Sequence, residues 1–392
     1  MEIYCDNAAT TAIDPEVIQA ILPYLTSNYG NPSSGHWAGR KVKEAIAAAR
    51  QTVANLIGAS ADEIFFMSGA TEANNLALTG AIKANEISHV ITSKIEHKAV
   101  LQRLAQHEKA GDIEISYVKL DDFGNVDLKH LERLLDANPQ TLISLMHGNN
   151  EIGNITDIAA IGELAKQYNA IFHTDTTQTM GKITYNVGES NIDFLVGSAH
   201  KFHGPKGVGF LYINKRNKIK PIIVGGGQES GQRGGTENVA GIVGLAKALE
   251  VSYKSRAVVQ NHVSVLKRYF ISSLDDLTIG GITFNGESRS ATKGLGNIVS
   301  VAFPCLSSGS LVSQLDLLGI AVSGGSACSN LADGGSHVIS AIYRNPDKEI
   351  VRFSFSKFNT LEEVDHIVKS IIRIYQSDSL IEASQQVAQS AF

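Results

Sequence analysis

Apolar and polar positions follow a repeated order along the first half of the chain. Residues 38–56 place apolar side chains at three- and four-residue steps, which predicts an amphipathic helix that ends at Gly58. Short apolar runs predict strands at residues 63–67, 89–92, 115–118, 142–146, 170–172, 192–196 and 208–213. Because helical patterns follow several of these strands, we expect an α/β fold with a mostly parallel sheet covered on both faces.

The pattern changes after a Gly-rich stretch at residues 225–235. The elements predicted beyond it are helices over residues 238–258, 260–274 and 361–377 and strands over residues 298–303 and 350–355. These elements are typical of a smaller α+β domain. We therefore expect a large domain of residues 15–257 and a small domain formed by residues 1–14 and 258–392.

Composition narrows the class of protein. The 392 residues are 43% hydrophobic and 19% charged, and the net charge of -5 comes from interspersed charges of both signs. This balance excludes a basic surface for nucleic acid. The N-terminus lacks the pattern of a secretory signal, and no run of eighteen apolar residues predicts a membrane span. We expect a cytoplasmic protein without nucleic-acid or membrane partners.

The three cysteines are few, widely spaced and odd in number, which fits a reducing compartment and disfavours a disulfide framework or a metal site. Cys5 and Cys305 lie beside apolar residues, and we expect both to be small buried hydrophobes. Cys328 instead lies in the polar, Gly-rich segment S-G-G-S-A-C-S-N. A thiol in such a loop is accessible and is a candidate nucleophile.

Lys201 lies in the segment S-A-H-K-F-H-G-P-K-G-V-G, between the strands predicted at residues 192–196 and 208–213. Surroundings of this kind desolvate the ammonium group, so Lys201 is a candidate for covalent bonding to a carbonyl compound. The alternative is an ordinary solvated lysine in a surface turn.

Two further segments follow predicted strands. Asp175, in H-T-D-T-T-Q, comes after the strand at residues 170–172, where an α/β sheet binds its ligands, although an Asp there can also be a helix N-cap. The segment G-A-T-E at residues 69–72 precedes a helix, whose free N–H groups can hold a phosphate or need no ligand at all. A lysine opposite a carboxylate that keeps a pyridinium nitrogen protonated is the arrangement that pyridoxal phosphate needs.

Eight motifs in a fixed order resemble the cysteine desulfurases of the class V aminotransferase family, from about residue 4 to residue 358. They are Y-C-D-N-A-A-T-T, S-G-A-T-E-A-N-N, I-E-H-K-A-V, M-H-G-N-N-E-I-G, D-T-T-Q, S-A-H-K-F-H-G-P-K-G, R-G-G-T-E-N-V and S-G-G-S-A-C. The resemblance implies a fold-type I homodimer that uses pyridoxal 5'-phosphate and no metal. Such an enzyme converts L-cysteine to L-alanine and passes the sulfur to an acceptor protein, such as an iron-sulfur scaffold or a component of a thiolation pathway.

The resemblance also implies a role for each matching residue. Lys201 would bond to the cofactor, Asp175 would pair with the pyridinium nitrogen, and His97 would stack on the ring. Further cofactor contacts would come from Gln178 and Asn150 near the 3-hydroxyl, and from Ala70, Thr71, Ser198, His200 and Thr236 of the partner subunit at the phosphate. Arg352 would bind the substrate carboxylate, with Asn150 nearby, and Cys328 would carry the persulfide.

The alternatives are a selenocysteine lyase or cystine C-S lyase of the same fold, and a catalytically quiet scaffold that keeps the cofactor for structure. Four positions depart from residues common in the family, namely His203, Ser230, Gly324 and Lys357. None of the four is a cofactor anchor, so they leave open the surface that meets the sulfur acceptor.

Overall fold

The computed structural model describes residues 2–324, 335–343 and 348–390, so Cys328 lies outside the described residues. The helices within these ranges are α1 (Pro15–Thr26), α2 (Trp37–Ile57), α3 (Ala70–Asn85), α4 (Lys98–Lys109), α5 (Leu128–Ala137), α6 (Ile158–Gln167), α7 (Val239–Asp275), α8 (Leu311–Leu317), α9 (His337–Ile342) and α10 (Leu361–Ser390). The strands are β1 (Ile3–Tyr4), β2 (Ile64–Met67), β3 (His89–Thr92), β4 (Glu114–Tyr117), β5 (Thr141–Ser144), β6 (Ile171–Asp175), β7 (Phe194–Ser198), β8 (Gly209–Ile213), β9 (Thr283–Phe284), β10 (Ile298–Pro304), β11 (Ile320–Ala321) and β12 (Lys348–Ser354). Within these ranges every helix is too short or too polar to span a bilayer.

The main sheet has the strand order β2-β8-β7-β6-β5-β3-β4. Strands β4, β3, β5, β6 and β7 pair in parallel, and β8 runs antiparallel to both β7 and β2. Every residue of β5, β7 and β8 is buried, as expected for strands covered on both faces. The predicted α/β fold with a mostly parallel sheet is therefore confirmed.

A second core forms around smaller sheets. Strand β10 pairs antiparallel with β12 and β9, and β1 pairs in parallel with β11. Ile3 and Cys5 pack in this second core with Val299, Leu266 and Phe353, so the start of the chain joins its C-terminal part. The predicted division at residues 14 and 257 stays a prediction.

The two helices predicted at residues 238–258 and 260–274 are one continuous helix, α7. Near its start, Leu245 and Leu249 pack in the core of the main sheet. Near its end, Leu266 and Phe270 pack in the second core, while Val258 between the two groups is exposed. The apolar pattern breaks because the helix changes its packing partner, and the backbone continues without interruption.

One expectation about the cysteines is wrong. Cys5 is buried as expected, but Cys305 is exposed. Pro304 ends β10, and in the turn that follows it is the side chain of Leu306 that is buried. An apolar neighbourhood in sequence therefore did not place the Cys305 thiol in the core.

Candidate active site

A cavity of about 510 Å³ lies where β6 and β7 end and α3 begins. The residues predicted from sequence that line it are Ala70, Thr71, His97, Asn150, Asp175, Gln178, Ser198, His200, Lys201 and Arg352. Thr236 is exposed and lies outside this lining. The chain thus brings together residues from six separate segments at one edge of the main sheet.

Lys201 ends a short turn of 3-10 helix, Ala199–Lys201, directly after β7. Its Nζ donates hydrogen bonds to the main-chain oxygens of Ala8 and Ala9, both at 2.7 Å. These carbonyl groups come from the segment after β1, which crosses from the second core to the edge of the main sheet. The amine is therefore held against the cavity wall by the N-terminal part of the chain.

Asp175 ends β6 and is almost completely buried. Its Oδ1 accepts from the Thr177 N–H at 2.9 Å, and its Oδ2 accepts from Asn74 Nδ2 at 2.7 Å. Behind it, Asn74 Oδ1 lies 2.9 Å from His173 Nε2, and His173 Nδ1 lies 2.9 Å from Ser144 Oγ. We call Asn74, His173 and Ser144 the Asp175 relay.

The proton positions in the Asp175 relay follow from the chemistry of its members. Because the carboxylate accepts, Asn74 turns its amide nitrogen to Asp175 and its oxygen to His173. His173 Nε2 therefore carries the proton, and Nδ1 accepts from the Ser144 hydroxyl. Burial lowers the pKa of His173 well below its usual range, which keeps the ring neutral as this pattern requires.

The turn before α3 is a candidate site for a phosphate group. Gly69 is the N-cap of α3 and provides no side-chain cap, so the first-turn N–H groups remain available to a ligand. A Cβ on Gly209 would lie 2.8 Å from the Gly69 Cα, so glycine at 209 allows β8 to approach this turn closely. Burial and the charge of Lys201 lower the pKa of His200 to about 4, so its ring is a neutral hydrogen-bonding group at this site.

The ring of His97 and the amide of Gln178 also line the cavity. His97 is the N-cap of α4, and its Nδ1 accepts from the Ala99 N–H at 3.1 Å, which leaves the proton on Nε2. Burial lowers the pKa of His97, which favours this neutral form. Gln178 Nε2 donates to the Ala8 oxygen at 2.9 Å, but its buried Oε1 has no partner among the described residues. Such an acceptor favours a ligand that donates a hydrogen bond.

The family model described as aminotransferase class-V matches residues 3–367. The chain belongs to the class-V aminotransferase family. It is 43% identical to "Cysteine desulfurase IscS" of Dictyoglomus turgidum over 96% of this chain and 95% of that protein, and 41% identical to "Cysteine desulfurase IscS" of Methanosarcina thermophila over 95% and 92%. Among solved structures, a "NifS-like protein" superposes with a TM-score of 0.88 at 36% identity, covering 96% of this chain and 100% of that one. The resemblance noted from the eight motifs is confirmed.

Arg352 is a fully buried cation that lines this class-V site. It lies in β12, and its Nη2 donates to Asp6 Oδ1 at 2.6 Å. Its Nη1 donates to the Asn150 main-chain oxygen at 2.7 Å, and its Nε has no partner among the described residues. The guanidinium group is therefore oriented by two hydrogen bonds, and its Nε–H is not used by any described residue.

Sequence reasoning missed Asp6, Asn74 and His173. A signal was present for His173, because alternation along a strand puts residues 173 and 175 on the same face of β6. Asp6 and Asn74 both lie within class-V motifs, but their partners are more than 100 residues away in sequence. Only the fold brings them to Arg352 and Asp175.

Proposed function

We propose that this class-V protein is a cysteine desulfurase that uses pyridoxal 5'-phosphate, converts L-cysteine to L-alanine and moves the sulfur onto Cys328. One observation carries the proposal: the amine of Lys201 and the carboxylate of Asp175 line the same cavity at the strand ends. The names of the relatives favour this activity over a selenocysteine lyase or a cystine C-S lyase.

The residues present fit the cofactor. Lys201 would bond to it, Asp175 would face its ring nitrogen, and His97 would cover its ring. The unpartnered oxygen of Gln178 matches a hydroxyl group on the ring, with Asn150 beside it. The proposed phosphate contacts are Ala70, Thr71, Ser198, His200 and Thr236 of the partner subunit. When bound, the cofactor supplies an electron sink for the bonds at the substrate α-carbon.

Different side chains of this protein carry out different steps of the proposed reaction. Arg352 binds the substrate carboxylate, as a planar guanidinium fork suits. Asp175, fixed by the Asp175 relay, holds a proton at the ring nitrogen of the cofactor. Lys201 takes the proton from the substrate α-carbon.

Sulfur transfer needs a nucleophile, and we assign it to Cys328. Its thiolate attacks the substrate sulfur, so that an S–S bond forms and the C–S bond breaks. The electron pair of the broken bond stays on the β-carbon, which takes up a proton. Return of the proton from Lys201 to the α-carbon completes alanine. The product on Cys328 is a persulfide, which then passes to an acceptor protein such as an iron-sulfur scaffold.

We also propose how the enzyme is organised. It is a cytoplasmic homodimer, with residues 15–257 holding the cofactor and residues 1–14 and 258–392 carrying the Cys328 segment. The packing of Ile3 and Cys5 in the second core supports this division. The small, odd number of widely spaced cysteines supports a reducing compartment.

The decisive experiment compares Cys328→Ala with Cys305→Ala. Both variants should keep the visible absorption of the bound cofactor, and Cys328→Ala should lose cysteine-dependent sulfide release while Cys305→Ala retains it. A protein that stays colourless with added pyridoxal phosphate would contradict the cofactor assignment. Unchanged sulfide release by Cys328→Ala would remove that cysteine from the mechanism, and turnover of selenocysteine or cystine by this variant would favour a lyase.

A further inference from the structure

A second cavity, of about 220 Å³, lies between the core of the main sheet and the second core. Its walls come from α7, from residues 181–183, from residues 294–297 and from residues 355–357. Lys201 lines both this cavity and the active-site cavity. The second cavity is thus a neighbour of the active site, and Lys201 is the one described residue that the two linings share.

The charges around the second cavity are of one sign. Its cationic lining residues are Lys182, Lys201, Arg256 and Lys357, and no Asp or Glu of the described chain lines it. Burial lowers the pKa of His203, which also lines the cavity, to about 4, so its ring is neutral. Lys357 forms an ion pair with Asp14, but no described carboxylate pairs with Lys182 or Arg256. Since like charges repel more strongly where water is partly excluded, this lining favours an anion. Burial, together with the charge of Lys201, lowers the pKa of Lys182 to about 7, which is the effect expected where a compensating anion is missing.

The two cations that lack a carboxylate are fixed in one wall. Lys182 Nζ donates to the Gln178 main-chain oxygen at 2.7 Å. Side chains of α7 bind the same segment, because Tyr253 Oη donates to the Ile183 oxygen at 3.2 Å and Arg256 Nη1 donates to Thr184 Oγ1 at 3.2 Å. Lys182 and Arg256 therefore both line the second cavity and keep donors beyond those used in these hydrogen bonds.

The other wall presents an unsatisfied acceptor. Asn297 is 5% exposed, and its main-chain oxygen accepts from the Phe355 N–H at 2.8 Å. Its side-chain Oδ1 is buried and has no partner among the described residues. Val259 and Phe355 line the same space and add apolar surface. An occupant that satisfies this wall donates one hydrogen bond and carries some hydrocarbon.

We propose that the second cavity binds a small carboxylate that carries a hydrogen-bond donor on the adjacent carbon, that is, an α-hydroxy or α-amino acid. The carboxylate lies against Lys182 and Arg256, and the hydroxyl or ammonium group donates to Asn297 Oδ1. An inorganic anion satisfies the cations but leaves the apolar surface and the acceptor unmatched. The proposal does not depend on the desulfurase activity.

Isothermal titration calorimetry of the cofactor-loaded protein with L-lactate tests this site. L-lactate has no amine with which to react at the cofactor, and the visible spectrum reports any occupation of the active site. Propionate is the matched ligand, since it differs by the hydroxyl group alone. We expect saturable L-lactate binding, about fivefold tighter than propionate, as one buried hydrogen bond provides.

Variants assign the binding to its residues. Arg256→Gln and Lys182→Gln should each weaken L-lactate binding by about tenfold, the effect of losing a charge-assisted hydrogen bond. Asn297→Ala should make L-lactate and propionate equal. Lys254→Gln, an exposed change on the same helix, and Arg352→Gln in the active site should leave the affinity unchanged.

The contrary outcomes are equally specific. Absence of saturable heat would overturn the site, as would loss of binding in Arg352→Gln with retention in Arg256→Gln. Equal affinities of the unaltered protein for L-lactate and propionate would overturn the role of Asn297. Sulfide release and cofactor absorbance, measured on the same preparation, report separately on the proposed desulfurase function.

Discussion

The two sides of the active-site cavity are built differently. On the Asp175 side, both carboxylate oxygens are bonded, and the Asp175 relay continues the hydrogen bonds into the core. On the Arg352 side, the guanidinium group shares its donors between Asp6 and a main-chain oxygen, and Nε stays unused. The difference matches the proposed roles, in which Asp175 is fixed for a cofactor that stays bound and Arg352 keeps a donor for a substrate that exchanges.

Removal of the Asp175 carboxylate should have the largest effect. Asp175→Asn keeps the shape of the side chain but takes away the charge that, in the proposed mechanism, holds the proton on the ring nitrogen of the cofactor. We expect kcat to fall by about 10²- to 10³-fold, the usual effect of losing one electrostatic group at a reaction centre. Steady-state sulfide release measures this kcat. A decrease of less than tenfold would contradict the larger role assigned to the Asp175 side.

Arg352→Lys should come next and should act mainly on substrate binding. Lysine keeps the charge but loses the planar fork, so it cannot serve Asp6, Asn150 and a substrate carboxylate together. We expect KM for L-cysteine to rise by about tenfold to hundredfold, with a smaller change in kcat. The cofactor absorption should be unchanged, and a colourless Arg352→Lys protein would show that this side also holds the cofactor.

The Asp175 relay should contribute less than Asp175 itself. Asn74→Ala removes the partners of His173 Nε2 and Asp175 Oδ2, so we expect kcat to fall about tenfold and stability to fall by about 1–3 kcal/mol. Titration of the visible absorption band distinguishes positioning from packing, because a relay that tunes Asp175 shifts the pH midpoint of that band. Asn75→Ala is the matched control, since Asn75 bonds only to the main chain of its own helix among the described residues. An unchanged midpoint in Asn74→Ala would make the relay purely structural.

The pH dependence of stability follows from the neutral state of His173. The unfolded chain takes up a proton on this residue near pH 6.5, whereas the folded protein resists it. The stability that neutral His173 contributes is therefore complete above about pH 6.5 and decreases as the pH falls below that value. Denaturant unfolding between pH 7.5 and 5 should show a shallower decrease for His173→Gln, and parallel curves would contradict this assignment.

Asp6→Asn should have the smallest effect of these changes. It tests how Asp6 influences substrate binding by Arg352. The change keeps an acceptor for Arg352 but removes the charge that competes with the substrate carboxylate. We expect KM for L-cysteine to fall by about threefold, within the range of one partly exposed ion pair. An increase in KM would mean that Asp6 aligns Arg352 for the substrate more than it competes with it.

Sequence reasoning reached the site residues that follow strands and failed for the residues that support them. Asp175 and Lys201 were found because apolar runs mark the strands and ligands bind where such strands end. Asn74 and Asp6 were not found, since their contacts span 101 and 346 positions in the chain. Contacts between residues so far apart in sequence depend on the order of the strands and the placement of the helices, which periodicity alone does not give.

The limits of periodicity also explain the two wrong predictions about the fold. The apolar pattern identified both halves of α7, but a pattern records which face is buried and not which core buries it. Val258 is exposed where the helix passes from one core to the other, and the sequence there looks like the end of a helix. Cys305 was misplaced for a related reason, because the turn after Pro304 resets the alternation.

Helix α7 also has a mechanical meaning. Its 37 residues form a rod of about 55 Å whose two halves are embedded in different cores. A rod anchored at both ends resists bending between them, so the two cores are expected to move as one body during turnover. A hinge inserted near its exposed midpoint, for example Val258→Gly, would give each core its own freedom, and force applied across the chain would then separate them in two steps.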